Sequence, residues 1–275
     1  MRIKIIVSFF LIIFSSSLCA QSRNSSGNFK VIDNARIKCS YLLEYQQDST
    51  NKESLEMENM VLLIGDSVSL FQSMNSYLRD SIMRNTQFTN ASIAMAQVSG
   101  FHTNFTYKLF KNYPENEMSL VDRIFPHHVL VEQPLHLFNW KLEKDTDTIS
   151  GYHCQKAITR FAGRNYVAWF TTEIPLSEGP YKFNGLPGLI IKISDTRQQY
   201  NFKLISFEKL KKVIKIEFPE KNYIRTTQKK FNKAKRDLLE NFSGRLAQMG
   251  ITINLSEKEI KKRLKRNNNA IEIWR

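Results

Sequence analysis

The chain has 275 residues and a formal net charge of +14, from 40 Lys and Arg against 26 Asp and Glu. Its 19 Phe and 10 Tyr against 10 Gly and 7 Pro exclude a disordered or collagen-like polymer and point to a core filled by large side chains. The charge is segregated: residues 21–202 hold 18 basic and 18 acidic side chains, whereas residues 203–275 hold 20 and 8.

Arg2 and Lys4 precede an apolar run from Ile5 to Phe14, and Ser15 to Ser17 then lead to Ala20. This order predicts a secretory signal over residues 1–20 with cleavage before Gln21, hence export to the periplasm or the extracellular space. Leu18 before Cys19 lacks the small side chain that lipoprotein processing needs. No later stretch approaches the roughly 20 apolar residues of a membrane span.

Two cysteines remain after cleavage, Cys39 and Cys154. In an oxidising compartment a disulfide between them is the expected state, and the alternative is a pair of buried thiols acting as small apolar residues.

Ile37, Cys39, Tyr41, Leu43 and Tyr45 alternate with polar residues as a half-buried strand does. Met60 to Ile64 and Val68 to Phe71 flank Gly65-Asp66 as a hairpin. Ser73 caps a short helix carrying Met74, Tyr77, Leu78 and Ile82, followed by an irregular crossover to Gly100. Alternation returns at Phe105 to Leu109 and at Phe138 to Leu142, after which Asp145 to Ser150 reads as a polar hairpin connection. The next strand is Tyr152 to Phe161. Gly163 turns the chain into a strand bearing Tyr166, Ala168 and Phe170 on one face and Val167 and Trp169 on the other, which predicts a central position. Phe202 to Ser206 and Ile214 to Phe218 read as two strands joined through Lys209 to Lys212.

From Thr226 the period changes. Phe231, Ala234, Leu238, Phe242, Leu246 and Met249 recur every three or four residues, forming an apolar stripe on a basic helix. Gly250 ends it, and Ser256 with Glu259 caps a last short basic helix to about Arg266. The sum is an α+β, β-dominated fold: a curved antiparallel meander sheet with a short internal helix and amphipathic C-terminal helices. Residues 21–225 form the β domain, and residues 226–275 form a basic helical extension.

The run from Gly151 to Asp195 is the densest in constrained residues. Pro175 stops a strand, Gly179-Pro180 turns the chain, and Leu186-Pro187-Gly188-Leu189 suits a type II turn with positive φ at Gly188. Gly163, Arg164, Trp169, Gly179 and Pro180, with the hexapeptide Gly185, Leu186, Pro187, Gly188, Leu189 and Ile190, resemble the GLPGLI family of exported bacterial envelope proteins. The resemblance covers roughly Trp140 to Asp195. It implies location and fold, and no activity, because that family has none assigned.

The glycine-rich run has no GxxxxGK[ST] pattern and enters a strand, so it lacks the helix-end donors of a phosphate loop. His153, Glu173 and Asp195, with Arg164 as an anion clamp, form the candidate acid and base set for a hydrolase or transferase, although each also suits a turn or strand-end role. His127, His128 and His136 have poor metal spacing, so neither a metal nor a cofactor is expected. Trp169, Phe170, Tyr181 and Phe183 either pack the core or line an apolar site. The expectation is non-enzymatic binding of an apolar ligand or an envelope protein, with no nucleic acid and with the basic C-terminal helices near an anionic membrane surface.

Overall fold

The computed structural model describes residues 28–85, 91–240 and 268–273. The expected signal, residues 241–267 of the helical extension, and Phe242, Leu246 and Met249 with them, lie outside the described residues.

Twelve strands form one sheet. β1 (Phe29–Gln46) stands at its middle, between β2 (Leu55–Ile64) and β11 (Tyr200–Pro219). On the β2 side follow β3 (Ser69–Ser73), β4 (Lys108–Lys111), β5 (Glu117–Ile124), β6 (His127–Pro134) and, at the edge, β12 (Tyr223–Thr226). On the β11 side follow β10 (Leu189–Asp195), β9 (Arg164–Thr171), β8 (Tyr152–Phe161) and the other edge, β7 (Lys141–Ile149). Neighbours pair antiparallel except β12 with β6, which run parallel. The sheet is therefore mixed, where the sequence predicts antiparallel pairing throughout.

The connectivity dictates curvature. β6 stands next to one edge and β7 forms the other, yet only Leu135 to Trp140 join them. That link reaches at most about 24 Å, whereas the two strands would lie about 48 Å apart in a flat sheet. The sheet must curl, and its inner face holds the larger apolar cluster, to which β1 to β6 and β8 to β11 all contribute. A smaller cluster on the outer face includes Ala35, Val61, Leu63, Phe110, Val121 and Ile216. Against it rests Tyr77 of helix α1 (Met74–Asn85), which Ser73 caps by accepting the Asn75 amide at 3.1 Å. A second short helix, α2 (Ala91–Val98), lies within the expected crossover. Helix α3 (Gln228–Glu240) buries Phe231 and lays Ala234 and Leu238 on the inner cluster, and its Lys235 pairs with Asp122 of β5 at 2.6 Å.

Several sequence expectations need correction. Asp145 to Ser150 is not a connection, because β7 runs to Ile149 and the turn narrows to Ser150 and Gly151, both at positive φ. The two strands expected around Lys209 to Lys212 are one strand, β11: Ala35 pairs with Ile214 and Ile37 with Lys209, so Leu210 to Val213 bulge out of an otherwise continuous ladder.

Cys39 and Cys154 form no bridge; both are free and buried. They sit on β1 and β8 with β11, β10 and β9 between them, far beyond the Cα separation of about 7 Å that a disulfide tolerates. Burial pushes the Cys39 thiol from 9.0 up to about 12 and the Cys154 thiol up to about 11. Both thiols therefore favour folding below pH 9, and this contribution is lost as the pH rises through their folded values. Iodoacetamide at pH 8 is expected to label neither thiol in the folded protein and both in denaturant; rapid labelling of the native chain would contradict their burial.

Candidate functional site

The connection over residues 172–188, between β9 and β10, is shaped by its prolines. Leu176 donates its amide to the Ile174 carbonyl at 2.8 Å, and Gly188 donates to Leu186 at 2.8 Å. Each bond closes a three-residue turn around a proline, whose fixed φ suits an inverse γ-turn. The type II turn expected at Gly188 is thus corrected. Positive φ falls at Gly185 (91°), against Trp140, whose Nε1 donates to the Asn184 carbonyl at 2.8 Å. Gly188 is required for space, because a Cβ there would stand 2.0 Å from the Thr171 carbonyl oxygen. Gly179 is similarly enclosed, with Ile190 Cδ1 at 2.7 Å and the Phe183 oxygen at 2.9 Å from its would-be Cβ.

This connection fills the inside of the curl. Tyr181, Phe183 and Leu186 are buried, and the Phe183 ring lies 4.7 Å from Tyr166 and 5.2 Å from Phe138. Phe170 is buried and Trp169 half-buried. The four aromatics named as an alternative apolar site therefore serve packing.

Polar groups nevertheless crowd the corner. Lys111 of β4 donates to the Gly179 carbonyl at 2.7 Å and pairs with Glu178 at 2.5 Å. Arg164 pairs with Asp195 at 2.9 Å, with 2% and 1% of their side chains exposed. Lys182 pairs with Glu272 at 2.5 Å, each 1% exposed, and Tyr181 donates its hydroxyl to the same carboxylate at 2.7 Å. Burial lowers the Lys182 ammonium, with Glu272 opposing the shift, and burial raises the Tyr181 phenol. No local pattern marks Lys111, Glu178 or Glu272 as site residues; for Lys182 the one local signal is its place between Tyr181 and Phe183.

Of the residues named for acid and base work, Glu173 meets the backbone of His153, and Asp195 stands apart from His153. The exposed Glu173 carboxylate accepts the His153 backbone amide at 2.8 Å, a contact that ties the turn after β9 to the start of β8. Asp195 is held by Arg164 and accepts the Gln199 and Tyr200 amides at 2.7 and 2.8 Å. Asp195 faces Tyr166, which faces Thr159, so it stands level with a residue six positions along β8 from His153. At about 3.3 Å per residue these groups are roughly 20 Å apart. His127 and His128 are neighbours on β6 and so turn to opposite faces, and His136 is exposed. Among the described residues no three His, Cys, Asp or Glu side chains gather as a metal site.

Open space lies on the outer face. Two clefts of about 330 and 480 Å³ share Phe29 and Lys108. Leu63, Leu70 and Val213 line the first, and Val121, Phe125 and Tyr223 the second. Lys108 is matched by Asp80 and Arg84 by Glu217. Arg79, Arg123 and Lys221, all lining the larger cleft, have no carboxylate partner among the described residues. Arg123 lies 4.6 Å over the Phe125 ring. Burial, then the charges of Lys221 and Arg123, hold the His128 imidazole below its usual range, a local sign that the cleft is electropositive.

Residues 162–192, which contain the Gly185 to Ile190 hexapeptide, match the family described as "Protein of unknown function (Porph_ging)". No curated protein matches the chain. Among solved structures, the chain is similar to PNGF-II in its P21 and C2 crystal forms, with TM-scores of 0.49 and 0.46 and 14% identity in each case. These matches cover 74% of this chain and 33% and 32% of the other, so the chain spans about a third of that protein's length.

Proposed function

We propose that this is an exported, non-enzymatic binding protein of the GLPGLI group, which holds an anionic amphiphile in the outer cleft. The supporting observation is a pair of clefts that share Phe29 and Lys108, of the size that takes small ligands, the larger lined by Val121, Phe125 and Tyr223 and carrying Arg79, Arg123 and Lys221 without carboxylate partners among the described residues. The apolar tail lies along Phe29, Val121 and Tyr223, and the head group meets the guanidinium and ammonium groups. The basic last quarter of the chain holds the protein near an anionic surface. The filled inner face supports the outer location, because a ligand there would have to displace Phe183 and Tyr181.

A fluorescent long-chain fatty acid is expected to bind more tightly than the corresponding alcohol, with affinity falling as salt rises. The Arg123→Glu/Lys221→Glu double variant should bind the acid at least about tenfold more weakly, a loss of about 1.4 kcal/mol, with binding of the alcohol little changed. Equal affinity for acid and alcohol, indifferent to salt, would contradict the proposal.

A further inference from the structure

The C-terminal residues 268–273 return to the family-matched corner, and they are held there in the manner of a bound peptide. Four successive backbone carbonyls are read by side chains. Tyr200 donates to the Asn269 oxygen at 2.6 Å, Arg164 to Ala270 at 2.8 Å, Tyr166 to Ile271 at 3.1 Å and Asn232 to Glu272 at 3.4 Å. No strand pairing holds this segment. Its side chains are read as well: Arg164 donates to Asn269 Oδ1 at 2.6 Å, and Glu272 enters the pocket of Lys182 and Tyr181. The Ile273 amide donates to the Ala162 carbonyl at 2.8 Å, and a Cβ on Gly163 would meet the Ile273 oxygen at 2.5 Å. Six of these contacting residues, Ala162, Gly163, Arg164, Tyr166, Tyr181 and Lys182, lie within the stretch 162–192.

We propose that the corner is a peptide-binding slot. It reads an extended segment with an amide side chain at one position and a carboxylate three residues later. The chain's own tail fills it in cis, and the tail of a second copy takes its place when the first is displaced. The chemistry of the slot supports this assignment. Without the tail, Lys182 has no carboxylate partner among the described residues and the Arg164 fork, still paired with Asp195, loses the partners of its second nitrogen, which leaves one ammonium and one set of guanidinium donors facing a channel shaped for an acidic peptide.

The test uses the full chain and a labelled synthetic peptide of residues 267–275. A tethered tail competes at an effective concentration in the millimolar range. The Glu272→Gln chain, whose tail is weakened, is therefore expected to bind the peptide at least tenfold more tightly than the wild-type chain. A peptide carrying Glu272→Gln should bind at least tenfold more weakly than the natural one. A Glu272→Gln chain that keeps its near-ultraviolet circular dichroism yet takes up no peptide would overturn the proposal. If that variant loses its fold, deuterium uptake by the wild-type chain decides. Uptake over residues 268–273 should at least double when peptide is added in excess, and unchanged uptake would overturn the proposal equally.

Discussion

The Gly188→Ala chain is expected to lose at least about 3 kcal/mol of stability, more than most single substitutions cost. The atoms that meet the new Cβ are all backbone: the Thr171 oxygen at 2.0 Å, its carbon at 2.7 Å and the Thr172 nitrogen at 3.1 Å. No rotamer change can move them. Nor can either segment slide, because Leu189 is registered against Thr171 in the ladder and the Leu189 amide donates to the Ile174 carbonyl at 3.0 Å. Relief would have to separate β9 from β10 where the corner enters the core. Gly151→Ala is the natural comparison. It has a positive φ, 84°, which Gly188 does not, and nothing within 4 Å of the added Cβ, so its cost is conformational alone, about 1–2 kcal/mol. Urea unfolding with unchanged m-values measures both. A Gly188→Ala chain no less stable than Gly151→Ala would contradict the close packing described.

Arg164→Leu is expected to cost about 3–5 kcal/mol, because it leaves the Asp195 charge buried without its counter-ion. For a domain of this size the melting temperature should fall by roughly 6–20 °C. The loss has two sources. Asp195 keeps the Gln199 and Tyr200 amides but not the guanidinium, while Asn269 and Ala270 lose their shared donor. The Arg164→Leu/Asp195→Asn double variant should recover part of the loss, since the asparagine still accepts the two amides and buries no charge. Arg164→Lys should fall between, because one ammonium cannot address Asp195 and the tail together as the two guanidinium nitrogens do. A double variant less stable than Arg164→Leu would show that the buried charge is not the cause.

How much of this was legible in the sequence depended on how local each determinant is. β8 was readable to its ends, since its alternation is interrupted at Gly151 and at Gly163, and the Ser73 cap marked the start of α1. β5 was missed because Met118 to Asp122 are all buried, so no period of two survives in its pattern. The bulge at Leu210 to Val213 was read as a break between strands because a single sequence cannot reveal the partner, β1, that continues across it. At Gly188 the sequence correctly marked a constraint and misassigned its cause, since a neighbour's carbonyl 17 positions away is invisible to turn statistics. The tail was unreadable: Asn268 to Ile273 have no period, and their partners, Arg164 and Lys182 among them, lie about a hundred residues upstream. His153 and Asp195 show the complementary case, in that the sequence places them on neighbouring hairpins but cannot show that they stand at different levels of the sheet.

Native mass spectrometry of the protein purified from the cells that make it tests the proposed binding role most directly. A retained anionic amphiphile is the predicted result, present on the wild-type chain and absent from Arg123→Glu/Lys221→Glu purified in parallel. An empty wild-type chain, or a ligand retained equally by the charge-reversed variant, would contradict a ligand site in the outer cleft.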